Sequence, residues 1–387
     1  MAFIPYGRQT ISKDDIQSVV DVLQSDFLTQ GPAVPAFEQA IQTYCGVANA
    51  IATNSATSAL HLACLALDVG PGDAVWTTPI TFVASANCAL YCGADISFVD
   101  IDPKTYNISV EALETKLKQA EKLGQLPKAV IPVHLSGQPC DMAAIYALSL
   151  AYGFKIIEDA SHAIGANYQG NKVGSCQYSD ITIFSFHPVK IITTGEGGAA
   201  TTKDAKLARK IELLRSHGVT REASEMTQAA DGPWYYQQID LGFNYRMTDM
   251  QAALGLSQLA NLDKFIDTRR AIAKKYNDAL SALSLTLPWQ DQGGESAWHL
   301  YIIRLDLAKT DSHLNVFKKL RTAEIGVNLH YMPIYRQPYY AKFNFDVNDY
   351  PNAEQYYAEA ISIPMFYAFN DAEFGRVVST LQQVLVA

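Results

Sequence analysis

Phe154-Lys-Ile-Ile-Glu-Asp-Ala-Ser-His162 and Asp180-Ile-Thr-Ile-Phe-Ser-Phe-His-Pro-Val-Lys190 are two apolar, β-branched runs, and each predicts a buried strand. Asp159 closes the apolar part of the first segment, and Lys190 is the last residue of the second. Ligands of open α/β sheets bind beyond the carboxyl ends of the strands. We therefore expect a carboxylate and an amine to face one site.

Strand-like and helix-like patterns alternate along the chain. The strand patterns are at 48–53, 74–78, 95–99, 129–133, 154–157 and 181–186, and helical patterns lie at 57–67, 82–91, 110–123 and 142–152. This alternation predicts an α/β fold with a mostly parallel central sheet and helices on both faces.

The second half of the chain predicts a smaller C-terminal α+β domain. A long helix is expected from 251 to about 276 with Thr248 as its cap, followed by strands at 299–305 and 326–329 and helices at 315–322 and 354–361. We predict a large domain over 1–265, whose segment 1–31 contributes to the substrate site, and a small domain over 266–387.

The acid and the amine together suit an enzyme that holds pyridoxal phosphate as a Schiff base. Lys190 would form the imine, and Asp159 would keep the pyridine nitrogen protonated so that the ring withdraws electrons. A lysine beside a cationic ring should also be less basic than a free lysine.

A phosphate site is predicted where the first strand meets the first helix, at Asn54-Ser-Ala-Thr-Ser-Ala59. Backbone N–H groups and hydroxyls at a helix N-terminus bind anions, although an ordinary N-cap has the same composition. The hydroxyl of Ser185 is a further candidate ligand. There is no Walker lysine and no Gly-x-Gly-x-x-Gly motif, so a nucleotide hydrolase or a dinucleotide-binding enzyme is disfavoured.

Composition excludes several other classes. The 387 residues carry a net charge of −9 without a basic cluster, so we expect no nucleic-acid partner. No apolar run approaches the ~18 residues that span a bilayer, and no signal peptide is expected. The six scattered cysteines predict buried free thiols in a reducing compartment and no metal site, hence a cytoplasmic protein.

Five segments, in this order along nearly the whole chain, resemble the DegT/DnrJ/EryC1/StrS sugar aminotransferases. They are Asn54-Ser-Ala-Thr-Ser-Ala-Leu-His-Leu-Ala63, Thr78-Pro-Ile-Thr-Phe-Val-Ala84, Glu158-Asp-Ala-Ser-His-Ala163, Ser185-Phe-His-Pro-Val-Lys-Ile-Ile-Thr-Thr-Gly-Glu-Gly-Gly198 and Gly242-Phe-Asn-Tyr-Arg-Met-Thr-Asp249. The resemblance implies a fold-type-I enzyme that uses pyridoxal phosphate to aminate nucleotide-linked keto sugars.

Within this family the chain is most similar to the pseudaminic acid branch. The cues are Leu28-Thr-Gln-Gly31, Arg215-Ser-His-Gly218 and His330-Tyr-Met-Pro-Ile-Tyr335, with the Asn54 motif. The branch transfers an amino group from L-glutamate to C4 of UDP-2-acetamido-2,6-dideoxy-β-L-arabino-hexos-4-ulose, giving UDP-4-amino-4,6-dideoxy-N-acetyl-β-L-altrosamine.

The resemblance also implies roles for individual residues. Lys190, Asp159 and His162 would be catalytic, with His162 near the 3-oxygen of the ring. Cofactor contacts would come from Ala56, Thr57, Phe82, Asp159, His162, Ser185 and Lys190, and from Asn244 of a second subunit, so a homodimer is expected. The sugar nucleotide would contact Tyr6, Asp26, Phe27, Leu28, Thr29, His330, Tyr331, Met332 and Pro333.

Two departures from the family pattern and two alternatives bear on this interpretation. Many members have Gly where this chain has Ala56, and many have Gln at the position of His162. Histidine at this position occurs in the pseudaminic acid branch and in the related sugar dehydratases, but those dehydratases replace the lysine that is present here as Lys190. The alternatives are an aminotransferase for another UDP- or dTDP-linked keto sugar and a non-catalytic regulatory protein that binds pyridoxal phosphate.

Overall fold

Helices and strands alternate in the computed structural model, which describes residues 2–291 and 293–385. The α-helices of this part are α1 Lys13–Leu23, α2 Ala33–Cys45, α3 Ala56–Ala66, α4 Ala84–Tyr91, α5 Val110–Leu123, α6 Met142–Tyr152, α7 Ala205–Arg215, α8 Asp249–Leu259, α9 Leu262–Leu280, α10 His313–Thr322, α11 Pro351–Glu359 and α12 Asp371–Leu385. The strands are β1 Asn49–Thr53, β2 Ala74–Thr77, β3 Asp95–Phe98, β4 Ala129–Ile131, β5 Lys155–Asp159, β6 Asn167–Tyr168, β7 Asn171–Lys172, β8 Ile181–Ser185, β9 Gly198–Thr202, β10 Val219–Thr220, β11 Gln237–Gln238, β12 Leu285–Thr286, β13 Gly294–Glu295, β14 Tyr301–Leu305 and β15 Ala360–Ile363.

The central sheet has seven strands in the order β1-β9-β8-β5-β4-β2-β3. Neighbours from β8 to β3 are parallel, whereas β9 runs antiparallel to both β8 and β1. The predicted mostly parallel sheet is therefore confirmed, with β9 as its one reversed strand.

Both faces of this sheet are buried. Alternate side chains of a strand point to opposite faces, so Ile51 and Ile183 pack into one core with α3 and α4. Their neighbours Ala52 and Phe184 pack into another core with α2 and α8. Helices therefore cover both faces of the sheet, as predicted.

A second, antiparallel sheet of order β12-β14-β15 has its own core with α9, α10 and α12. Helix α9 gives Phe265 and Ile266 to a core of the central sheet and Ile272 and Tyr276 to the core of the smaller sheet. The division of the chain at residue 265 stays a prediction. None of the helices in residues 2–291 and 293–385 combines the length and the apolar character needed to cross a bilayer.

The C-terminal half differs from the prediction in three places. The helix expected over 251–276 is two helices, because the side-chain Nδ2 of Asn261 donates to Ser257 O while its backbone N–H donates to Gln258 O. The helix expected over 354–361 ends at Glu359, and the next four residues pair with β14. The expected strand at 326–329 makes only an isolated bridge, from Asn328 to Ser362.

Candidate active site

A cavity of about 650 Å³ opens at the carboxyl ends of the central strands. β5 ends at Asp159, β8 ends at Ser185, and α3 starts just after β1, so three strands deliver side chains to one place. The lining includes Tyr6, Ala56, Thr57, Thr81, Phe82, Asp159, His162, Ser185, Lys190, Glu196, His299, Asn328, His330, Tyr331, Met332 and Gln337.

Asp159 is buried and its carboxylate is held at both oxygens. Oδ2 accepts a hydrogen bond of 2.6 Å from the Ser85 hydroxyl, and Oδ1 accepts one of 3.1 Å from the backbone N–H of Ser161. The Thr81 hydroxyl lies 2.8 Å from that of Ser85. These bonds fix the direction in which the carboxylate faces the cavity.

Lys190 lies in the turn after β8, where its backbone N–H donates to His187 O at 2.9 Å. The side chain is half-buried and lines the same cavity as Asp159. Burial lowers the pKa of Lys190 to about 8, against the opposing effect of the Asp159 carboxylate. The structure thus brings the predicted acid and amine together, and the amine is partly neutral near physiological pH.

His162 is buried beside them and is held at both ring nitrogens. Nδ1 accepts from the backbone N–H of Ser136 at 3.3 Å, and Nε2 lies 3.2 Å from the Tyr331 hydroxyl. Burial lowers the pKa of His162 well below its ordinary value, and the charges of Lys190 and His330 lower it further. The ring is therefore neutral, with its proton on Nε2 because Nδ1 accepts.

The start of α3, where the sequence predicts an anion site, lies in the cavity wall. Ser55 is the N-cap, since its Oγ accepts from Ser58 N–H at 3.1 Å. The next two residues, Ala56 and Thr57, line the cavity, and the first N–H groups of a helix have no acceptor within the helix. The cap and the anion site are thus compatible. A Cβ on Gly198 would lie 2.5 Å from Ala56 N, so glycine lets β9 approach this turn closely.

Other predicted residues divide into two groups. Phe82, which is 58% exposed and therefore offers a free ring face, lines the cavity with Tyr6, His330, Tyr331 and Met332. The predicted residues that do not line this chain's cavity are Asp26, Phe27, Leu28, Thr29, Asn244 and Pro333. Their roles stay predictions.

Sequence reasoning missed several residues of the site. Ser85 directly follows the Thr78–Ala84 motif, which was the one available signal for it. His299 lies in the cavity wall, 4.4 Å from the His162 ring between centroids, and nothing in its local sequence indicated this. Asn328 and Gln337 also line the cavity.

The residues present fit pyridoxal phosphate. They supply an amine for the aldehyde, a fixed carboxylate for the ring nitrogen and an exposed aromatic face. For the phosphate they supply free helix N–H groups, and the Ser185 hydroxyl makes no hydrogen bond to other residues of the described part. Residues 2–291 and 293–385 contain no cluster of three His, Cys, Asp or Glu that could hold a metal ion.

Comparison with known proteins agrees with the resemblance found in the sequence. The model of the DegT/DnrJ/EryC1/StrS aminotransferase family matches residues 9–382. The spore coat polysaccharide biosynthesis protein SpsC of Bacillus subtilis is 38% identical, over 99% of this chain and 97% of its own.

Solved structures are similar over the same extent. Helicobacter pylori PseC, an aminotransferase involved in the biosynthesis of pseudoaminic acid, superposes with a TM-score of 0.90 at 30% identity over 99% of both chains. Spr1654 of Streptococcus pneumoniae, a putative sugar aminotransferase known in PMP and PLP forms, superposes in its PMP form with a TM-score of 0.89 at 30% identity over 98% of both chains. The chain belongs to the DegT/DnrJ/EryC1/StrS aminotransferase family and is a sugar aminotransferase that depends on pyridoxal phosphate.

Proposed function

We propose that the enzyme transfers the amino group of L-glutamate to C4 of UDP-2-acetamido-2,6-dideoxy-β-L-arabino-hexos-4-ulose. The product would be UDP-4-amino-4,6-dideoxy-N-acetyl-β-L-altrosamine, an intermediate of pseudaminic acid biosynthesis. The likeness to PseC over 99% of both chains is the observation that supports this substrate. The meeting of Lys190 and Asp159 in one cavity supports amino transfer at this site.

Each cofactor contact follows from a position in the cavity. Pyridoxal phosphate supplies an electron-withdrawing ring that stores the amino group between the two half-reactions. We assign Asp159 to the ring nitrogen and Phe82 to the ring face. The N–H groups of Ala56 and Thr57 and the Ser185 hydroxyl would hold the phosphate, where the dipole of α3 favours negative charge.

Lys190 would move the protons. With a pKa of about 8, roughly a fifth of the amine is neutral at pH 7.4, so Nζ can take a proton from Cα of glutamate and deliver one to C4 of the sugar. The carboxylate of Asp159 stabilises positive charge on the ring nitrogen. Because the Ser85 and Ser161 bonds hold this carboxylate in place beforehand, its stabilising effect needs no reorganisation during the reaction.

Two exposed segments support a homodimer with shared sites. Asn244 is exposed and lies outside its own cavity. The loop with Phe27 and Leu28, which are 53% and 46% exposed, is held to α8 by the buried Asp249 carboxylate, which accepts from the N–H groups of Gly31 and Ala33 at 3.1 Å. We propose that Asn244 and residues 26–29 face the cavity of the partner subunit.

The sugar nucleotide would occupy the part of the cavity formed by the C-terminal half. His330, Tyr331 and Met332 line it opposite Tyr6, and Pro333 follows them directly. The His330 ring is fixed, because Nδ1 lies 2.8 Å from the Ser362 hydroxyl, and burial lowers its pKa to about 3. A neutral, oriented imidazole beside a tyrosine suits the hydroxyl groups of a hexose.

A second candidate is amination of another UDP- or dTDP-linked keto sugar. The 38% identity to a spore coat polysaccharide biosynthesis protein favours it, since that identity exceeds the 30% to PseC. Both candidates use the same cofactor chemistry and differ only in the sugar pocket.

The deciding experiment offers the purified enzyme a panel of UDP- and dTDP-linked 4-keto and 3-keto sugars with L-glutamate. Products are identified by mass spectrometry and NMR, and Lys190→Ala serves as the inactive control. We expect the C4-aminated altrosamine derivative to form with the highest kcat/KM. Preference for another sugar would refute the substrate, and turnover by Lys190→Ala would refute the assigned role of the lysine.

A further inference from the structure

His299 carries a buried ring nitrogen that makes no hydrogen bond. The residue is 4% exposed, and its Nδ1 has no partner within residues 2–291 and 293–385. Buried polar atoms are almost always paired, so His299 is an exception: no hydrogen bond from the described part of the chain orients this ring at Nδ1, and its position depends on packing.

Three features constrain the backbone at His299. The preceding residue, Trp298, has a φ of 50°, in the left-handed region that bulky residues avoid. A Cβ on Gly137 would lie 3.1 Å from His299 N, so glycine is needed opposite. The buried guanidinium of Arg269 donates to His299 O at 3.1 Å.

Ser136 contacts both the backbone of His299 and the ring of His162. Its carbonyl accepts from His299 N–H at 2.8 Å, while its own N–H donates to Nδ1 of His162 at 3.3 Å. The two rings lie 4.4 Å apart between centroids, with a tilt of 45°. Ser136 therefore holds the His162 ring and the backbone of His299, and the His299 ring packs beside His162.

We propose that His299 is a positioning residue: it holds His162 in one plane, in the neutral form that accepts at Nδ1 and donates from Nε2 into the cavity. In this structure the Tyr331 hydroxyl lies 3.2 Å from that donor. An electron-rich oxygen of the cofactor or substrate is the chemical class that such a donor would bind. The inference rests on the proposed placement of His162 beside the cofactor.

The surrounding charges favour this neutral pair. Burial lowers the pKa of His299 well below its ordinary value, and His162, Lys190, Arg269 and His330 lower it further. The groups that face His162 are the Lys190 amine, the neutral imidazoles of His299 and His330, the hydroxyl of Tyr331 and the nearby Asp159 carboxylate. Protonation of His162 would place a hydrogen on Nδ1 against the Ser136 N–H and would break the arrangement.

The test is a long-range ¹H–¹⁵N NMR titration of the histidine rings in the holoenzyme, with His162 assigned by the signals lost in His162→Gln. Wild type, His299→Phe and His299→Ala are compared. Phenylalanine keeps a packed ring without a titratable nitrogen, whereas alanine admits water beside His162.

We expect wild type and His299→Phe to keep the Nε2–H form of His162 at the ordinary histidine pKa of about 6.5 and below it. In His299→Ala, His162 should titrate near the ordinary value of about 6.5, with kcat lost roughly tenfold for each pH unit below it. An unchanged titration in His299→Ala, or a His299→Phe variant as impaired as His299→Ala, would overturn the proposal.

The wild-type spectrum also tests the proposal, and this test does not depend on whether a variant at His299 folds. A charged His162 ring, or one with its proton on Nδ1, contradicts the proposal directly. Because the titration uses no sugar substrate, its failure is distinguishable from a failure of the proposed C4 amination.

Discussion

Replacing Lys190 by methionine should abolish turnover and also stabilise the cofactor-free protein. Burial lowers the pKa of Lys190 from 10.5 to about 8. That gap corresponds to about 3 kcal/mol by which the charged amine destabilises the folded state at neutral pH. The side chain is only half-buried, so part of this penalty is screened, and we expect a gain of about 1–2 kcal/mol for Lys190→Met.

The pH dependence of this gain has a definite sign. Below pH 8 the lysine is charged in both the folded and the unfolded chain, so the full penalty is present. Between about 8 and 10.5 the folded lysine loses its proton while the unfolded one keeps it, and the stability of the wild type rises. The advantage of Lys190→Met should therefore shrink across this range.

The assay is urea unfolding of the cofactor-free protein at pH 7 and pH 10, followed by circular dichroism. Lys206→Met is the matched control, because Lys206 is exposed at the start of α7 and forms no ion pair within the described residues. Its urea midpoint should equal that of the wild type. If Lys190→Met gains nothing at pH 7, or keeps its gain at pH 10, burial is not what lowers the basicity of the amine.

Three further substitutions test the site. Asp159→Asn keeps an acceptor for Ser161 N–H, so the fold should survive while kcat falls by at least about a hundredfold; near-normal kcat would remove the ring-nitrogen role. Ser85→Ala deletes a bond to a carboxylate worth about 1.5–3 kcal/mol, so steady-state kcat should fall about tenfold to a hundredfold, whereas Ser149→Ala, remote from the cavity, should leave kcat unchanged. Asn244→Asp should weaken cofactor retention on dialysis, measured by absorbance; unchanged retention would mean that Asn244 lies away from the phosphate.

The parallel strands of the central sheet were predictable because their apolar and β-branched residues indicate buried strands. Ile181–Ser185 has three β-branched residues followed by a phenylalanine, and so it could be identified without its neighbours. β9, Gly198–Thr202, was not predicted, since small residues carry no strand signal and the strand exists because it pairs on both sides. The break between α8 and α9 was hidden because apolar periodicity continues through Asn261.

Residues of the site were predictable where a single local motif contains them. The end of β5 gave Asp159, the turn after β8 gave Lys190, and the start of α3 gave Ala56 and Thr57, and all four residues line the cavity. Ser85 and His299 could not be found in this way, because their partners lie 74 and 137 residues away in the sequence. The contacts of Ser85 with Asp159 and of His299 with His162 depend on how distant elements of the chain pack together, and local sequence patterns do not determine that packing.

The low basicity of Lys190 has two causes that act at different times. A cationic ring beside the lysine would be present only once the cofactor is bound. Burial lowers the pKa of the amine to about 8 from the chain's own residues alone. Because only a neutral amine attacks an aldehyde, burial serves the first capture of the cofactor. In the proposed mechanism, a cofactor ring nitrogen paired with Asp159 would add to this effect, and Lys190 would act as a base when it is free of the cofactor.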